Sequence, residues 1–82
     1  MKKELSYYCD NKRHLVCMPY SVPNLMRMAE DLGIHSCWYH AGDKPHFDIP
    51  KRRVSEITAK CTVVSPKDIL RIIRGTYLTG GF

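Results

Sequence analysis

No stretch of this 82-residue chain holds the about 18 consecutive apolar residues that a membrane-spanning helix needs, so no membrane partner is expected. The opening MKKELSYYCD is basic but lacks an apolar core segment and a small-residue cleavage site, and is not read as a secretory signal. No Cys-x-x-Cys occurs among the four cysteines, which are expected as free thiols in a reducing cytoplasm. Internal repeats and linkers are missing as well. A single domain over residues 1–82 follows, with an ordered core of about residues 5–75 and a frayed tail at 76–82. A chain this short buries only ~60% of its unfolded surface, so the core is small. Acidic charge is in deficit: 8 Asp plus Glu stand against 13 Lys plus Arg, leaving a net +5. That balance favours an anionic partner. No helix-turn-helix or RNA-binding signature is present, so base-specific readout is not expected.

Local patterns divide the rest of the chain into short elements. Leu5–Asp10 and Leu15–Tyr20 suit two strands joined by a basic turn at Lys12-Arg13-His14. Ser21–Gly33 is the clearest helix, with Ser21 as cap, Pro23 in the first turn, Gly33 as stop and an apolar stripe through Leu25, Met28 and Leu32. A brief strand at Ile34–Trp38 is followed by an irregular segment and a second helix over Lys51–Lys60. Cys61–Val64 forms a strand, and Ser65-Pro66-Lys67-Asp68 opens a third helix with a capping box that ends at Gly75. The order β-β-α-β-α-β-α fits an α/β (α+β) fold, a two-layer sandwich with helices on one face of a small sheet.

The segment Trp38–Arg53, WYHAGDKPHFDIPKRR, concentrates the reactive side chains. Gly42, Pro45 and Pro50 interrupt regular structure, and sites in open sheets gather where such loops meet helix N-termini. His46 and Asp48 share one side of an extended chain. In one reading His46 is a general base with Asp48 and Asp10 as supporting carboxylates and Arg53 as anion clamp. In the other, Asp48 caps the helix near Lys51 and His46 bonds a loop carbonyl. Lys12, Arg13, Lys51, Arg52 and Arg53 form an anion-binding face if the two loops share one end of the sheet. Trp38, Tyr39 and Phe47 would then stack on bases. The alternative is a solvated basic surface with Trp38 in the core.

Tyr8-Cys9-Asp10, Cys17, the helix end Leu32-Gly33-Ile34, Trp38-Tyr39, His46-Phe47-Asp48-Ile49 and Arg52-Arg53 occur in an order that resembles a DUF4031-like family of small phage and bacterial domains. The resemblance covers about Leu5–Val64. Met18 stands where the family carries a histidine after the cysteine, and Phe47 replaces a tyrosine. The family brings no established activity. It implies a phage or prophage accessory protein in the host cytoplasm.

Cysteine and histidine spacing bears on metal and nucleophile chemistry. Cys37 lies between His35 and His40, but zinc sites need paired ligands in two places and no second pair is evident. No metal or cofactor is therefore assigned. Cys37 is the one candidate nucleophile, while Cys9, Cys17 and Cys61 fit as small buried hydrophobes. The leading expectation is a non-catalytic protein binding nucleic acid, or a host protein that handles nucleic acid, through the basic loops. The alternatives are an enzyme acting on a phosphate-bearing substrate through His46, Asp48 and Asp10, and a host-protein interaction module.

Overall fold

The two N-terminal strands form a hairpin whose turn is held by one carboxylate. In the computed structural model, which describes residues 5–77, β1 (Ser6–Cys9) pairs antiparallel with β2 (His14–Met18). Asp10 Oδ1 accepts from the Lys12 and His14 backbone N–H groups at 2.9 and 3.0 Å. This Asx-type turn lets Arg13 adopt a left-handed φ of 70° that a side chain with a Cβ otherwise avoids.

The chain continues through α1 (Val22–Leu32), β3 (Tyr39–His40), β4 (His46–Asp48), α2 (Val54–Thr58), β5 (Thr62–Val63) and α3 (Pro66–Arg74). The five strands make one mixed sheet in the order β3-β4-β2-β1-β5. Among the described residues, the β1–β5 pair alone is parallel. The architecture is α+β, as expected, but the helices cover both faces of the sheet and not one. Strand alternation puts Leu15 and Cys17 on one face, where Phe47 is the cross-strand partner of Leu15. Tyr7, opposite Cys17, donates to Asp31 Oδ2 of α1 at 2.7 Å, so this is the α1 face. Leu25, Met28 and Leu32 pack there in a core with Leu15 and Phe47, both of which are inaccessible. His14, Val16 and Met18 point the other way, toward the buried Ile69 and Ile72 of α3. The reason is compositional. Val16 and Tyr8 give that second face enough apolar surface to need its own cover.

Caps fix two helices as the sequence indicates. Ser21 accepts from the Asn24 N–H, and Gly33 closes α1 at φ 71°. Ser65 and Asp68 form a reciprocal capping box, and Gly75 closes α3 at φ 78°. The second helix is shorter than the expected Lys51–Lys60. Lys51–Arg53 is a single 3-10 turn, and regular α geometry spans only Val54–Thr58. Arg53, at φ −111° and ψ 9°, breaks the helical path where its side chain turns toward α1, and the Thr58 hydroxyl bonds back to the Val54 carbonyl at 2.7 Å. The expected strand at Ile34–Trp38 is instead a 3-10 turn at Ser36–Trp38, with the His35 ring accepting from the Cys37 N–H. The strand begins at Tyr39, directly after this turn. Of the tail expected to fray, Tyr77 packs edge-on against Tyr8 with ring centroids 5.7 Å apart, and residues 78–82 lie outside the described residues.

Candidate functional site

Two neighbouring features gather the polar side chains at one end of the sheet. The first is a histidine–carboxylate cluster. Asp10 is buried, and its Oδ2 accepts from His14 Nδ1 at 2.8 Å. The register sets His14 of β2 directly opposite Asp48 of β4. His46, two residues before Asp48, projects on the same face and brings Nε2 to 3.5 Å from Asp48 Oδ1. His40 of β3 pairs with His46 across the sheet, and its Nε2 meets Asp48 Oδ2 at 2.9 Å. The His40 and His46 rings stack at 5.0 Å with 10° between planes, whereas His14 meets His46 edge-on at 5.1 Å and 86°. Three histidines and two aspartates thus form one connected network, buried at Asp10 and accessible at His40.

The second feature is an open groove of about 740 Å³ lined by Arg13, Ile34, Trp38, Lys51 and Arg52, among others. Its walls come from the hairpin turn, the segment after α1 and the turn after β4. Arg13 is tied to the Ile49 carbonyl by Nη1 at 3.1 Å, which keeps the two loops together. Lys51 and Arg52 are exposed, and Trp38 is half-buried. The half-burial answers the choice posed by the sequence: one part of the indole packs on the core and another faces the groove.

Each expected residue has a definite place, and Phe47, expected to stack on bases, is instead inaccessible in the core. Asp10, His46 and Asp48 converge, joined through His14. Arg13, Trp38, Lys51, Arg52 and Arg53 line the groove, while Lys12 sits in the turn with its N–H on Asp10. Arg53 does not reach the histidines. Its guanidinium donates to the Leu32 and Gly33 carbonyls, each at 2.7 Å, and to Glu56 at 2.6 and 3.0 Å. The hydrogen bond with Glu56 raises the Arg53 pKa and holds the Glu56 carboxyl below its ordinary range. Arg53 therefore ties α2 to the C-terminus of α1, and the exposed cations of the groove are Lys51 and Arg52. Asp48 does not cap the following helix, since the turn after Pro50 has no side-chain cap. His46 does bond a loop carbonyl, through Nδ1 to Lys44 O at 2.7 Å.

The cysteines divide as their burial dictates. Cys37 is exposed, while Cys9 and Cys17 are buried. Burial pushes the Cys17 thiol up to about 11. Cys61 lies against Cys9, and that hydrogen bond raises the Cys61 thiol while lowering that of Cys9. His35 and Cys37 do not join His40 in a ligand group. Among the described residues, the converging set is His14, His46 and Asp48. His14 and His40 were missed by spacing because strand pairing, not sequence proximity, brings them in. The usable signal was the alternation of His46 and Asp48, which needed the β2–β4 pairing to find its third member.

Comparison with protein-family models, curated proteins and solved structures finds no match to this chain.

Proposed function

We propose that this chain binds the phosphate backbone of single-stranded nucleic acid in the groove beside Trp38, as a small accessory protein of phage type. One observation carries this. Arg13, Trp38, Lys51 and Arg52, from three separate segments, line one open groove large enough for a nucleotide. Phosphates would meet Lys51 and Arg52, whose ammonium and guanidinium groups are solvent-exposed. A base would stack on the exposed part of the indole, a contact worth about 1–3 kcal/mol that tolerates any base. The net charge of +5 adds long-range attraction. The phage-type context comes from the resemblance, not from the groove.

Trp38 is the sole tryptophan, so its fluorescence reports directly on the groove. Titration with short single-stranded DNA or RNA is expected to quench it. The affinity should fall with salt by a log–log slope of roughly 0.7 per phosphate contacted. The double variant Lys51→Glu, Arg52→Glu should abolish binding without loss of fold, because both side chains are exposed. No quenching at low salt, or unchanged affinity in the double variant, overturns the nucleic-acid reading and leaves a protein partner as the occupant to seek.

A second reading, an enzyme acting on a phosphate-bearing substrate, is favoured by one distance. The 2.8 Å Asp10–His14 contact orients an imidazole as general-base pairs do. It moves the base role from His46 to His14. Phosphodiester turnover that is lost in His14→Gln with the melting temperature unchanged would support it, and no turnover of any phosphate ester would reject it.

A further inference from the structure

We propose that His14, His46 and Asp48 form a site for one divalent transition-metal ion of the zinc class. One ligand atom of each lies within 4.8 Å of the other two. Ligand atoms at about 2.0–2.1 Å from a tetrahedral ion stand about 3.3 Å apart. The 3.5 Å from His46 Nε2 to Asp48 Oδ1 already has that spacing, and closing the rest takes side-chain shifts of roughly 1 Å.

The stronger argument lies in which ring atoms are left free. A backbone carbonyl only accepts, so His46 carries its proton on Nδ1, where it donates to Lys44 O. The carboxylate of Asp10 fixes His14 in the same way at Nδ1. In their neutral forms both imidazoles present an Nε2 lone pair for coordination. Asp48 is fixed in turn, because His40 Nε2 occupies Oδ2 and leaves Oδ1 for an ion. A carboxylate, a carbonyl and an imidazole thus hold the three ligand groups from outside. This is the outer-shell support that metal-bound histidines almost always have.

Ligand chemistry selects the class of ion. Two imidazoles with one carboxylate suit zinc and similar borderline cations, whereas calcium and magnesium call for an all-oxygen shell. Three protein ligands leave a fourth position, as in sites where water or substrate coordinates. Room for it exists in a cavity of about 190 Å³ that His14 and His46 line beneath Ile69 and Ile73 of α3. The side chains of His14, His46 and Asp48 are 39, 21 and 27% exposed, so an ion can enter from solvent.

The test is metal binding by the intact chain after stripping with a chelator. Zn²⁺ is titrated in competition with a chromophoric chelator, and Co²⁺ serves as spectroscopic probe. One equivalent per chain is expected, with visible Co²⁺ bands and no sulfur charge-transfer absorption. His46→Ala and the near-isosteric Asp48→Asn should each weaken binding by at least about tenfold with unchanged circular dichroism, and Cys37→Ser should not change it. If His46→Ala fails to fold, His46→Gln and Asp48→Asn carry the comparison. Asp10→Asn should weaken binding by about 10–100-fold as a positioning change and shift the visible Co²⁺ bands, with circular dichroism unchanged. Three results overturn the site: no stoichiometric Zn²⁺ or Co²⁺ binding by folded protein, affinity undiminished in Asp48→Asn and the folded His46 variant, or sulfur charge-transfer bands that place the ion on cysteine. Each readout is independent of nucleic-acid binding in the groove.

Discussion

His14 stands directly opposite Asp48 in the β2–β4 register, while its other ring edge is held by buried Asp10 at 2.8 Å. One imidazole thereby links the hairpin turn to the segment that sequence analysis singles out. Because Asp10 serves the turn and the cluster together, its removal has a calculable cost.

Asp10→Ala deprives the Lys12 and His14 N–H groups and the His14 ring of their acceptor. A destabilisation of about 2–3 kcal/mol is expected, measured as a fall in the urea midpoint. Asp10→Asn retains an oxygen for the two backbone donors and should lose less. His40→Ala, at an exposed position, should stay within about 0.5 kcal/mol. Equal losses in Asp10→Ala and His40→Ala would contradict the assignment of Asp10 as the hairpin clasp.

The link between α1 and α2 makes a separate case. Gly33 has φ +71°, and a Cβ there would lie 3.9 Å from both terminal nitrogens of Arg53, which is ordinary contact. Backbone strain alone then sets the cost of Gly33→Ala, about 1 kcal/mol. Gly42→Ala, which meets nothing within 4 Å and has no positive φ, should be near neutral. Arg53→Met should lower stability and flatten its dependence on acid pH. Glu56 is held below its ordinary carboxyl range by Arg53, so the pair stabilises the fold above the unfolded carboxyl pKa. That contribution is lost as pH falls through the lowered folded value. Thermal melts of the wild type and Arg53→Met across pH 2–6 would show it, and parallel curves would rule it out.

At alkaline pH the sign reverses. Burial and the hydrogen bond to Asp31 push the Tyr7 hydroxyl up to about 12 from 10.0. The protonated form is therefore favoured by folding, a contribution fully present below pH 10 and lost as pH rises toward 12. Burial acts likewise on Cys17, from 9.0 to about 11. Stability should decline from about pH 9 upward, and Tyr7→Phe should reduce the part of that decline above pH 10, leaving the Cys17 share. An unchanged alkaline limb in Tyr7→Phe would place the titrating group elsewhere.

What the sequence by itself determined is whatever depends on near neighbours. Ser21 and Gly33 bound α1, and Ser65, Asp68 and Gly75 bound α3, because a cap bonds to backbone within three or four residues. Period-two alternation likewise puts His46 and Asp48 on one face whatever the strand pairing. Tertiary structure decided the rest. Packing of Leu15 against Phe47 fixes the β2–β4 register, and one step of slip would turn His14 away from Asp48. Arg53 left the candidate site because the open carbonyls of Leu32 and Gly33 lie within its reach only once α1 and α2 have docked. The segment from Trp38 to Arg53 supplies part of each feature, β2 and its turn complete the cluster, and that turn with the residues after α1 completes the groove. Contacts between segments distant in sequence follow from buried apolar surface shared across the whole sheet, and no local pattern carries that information.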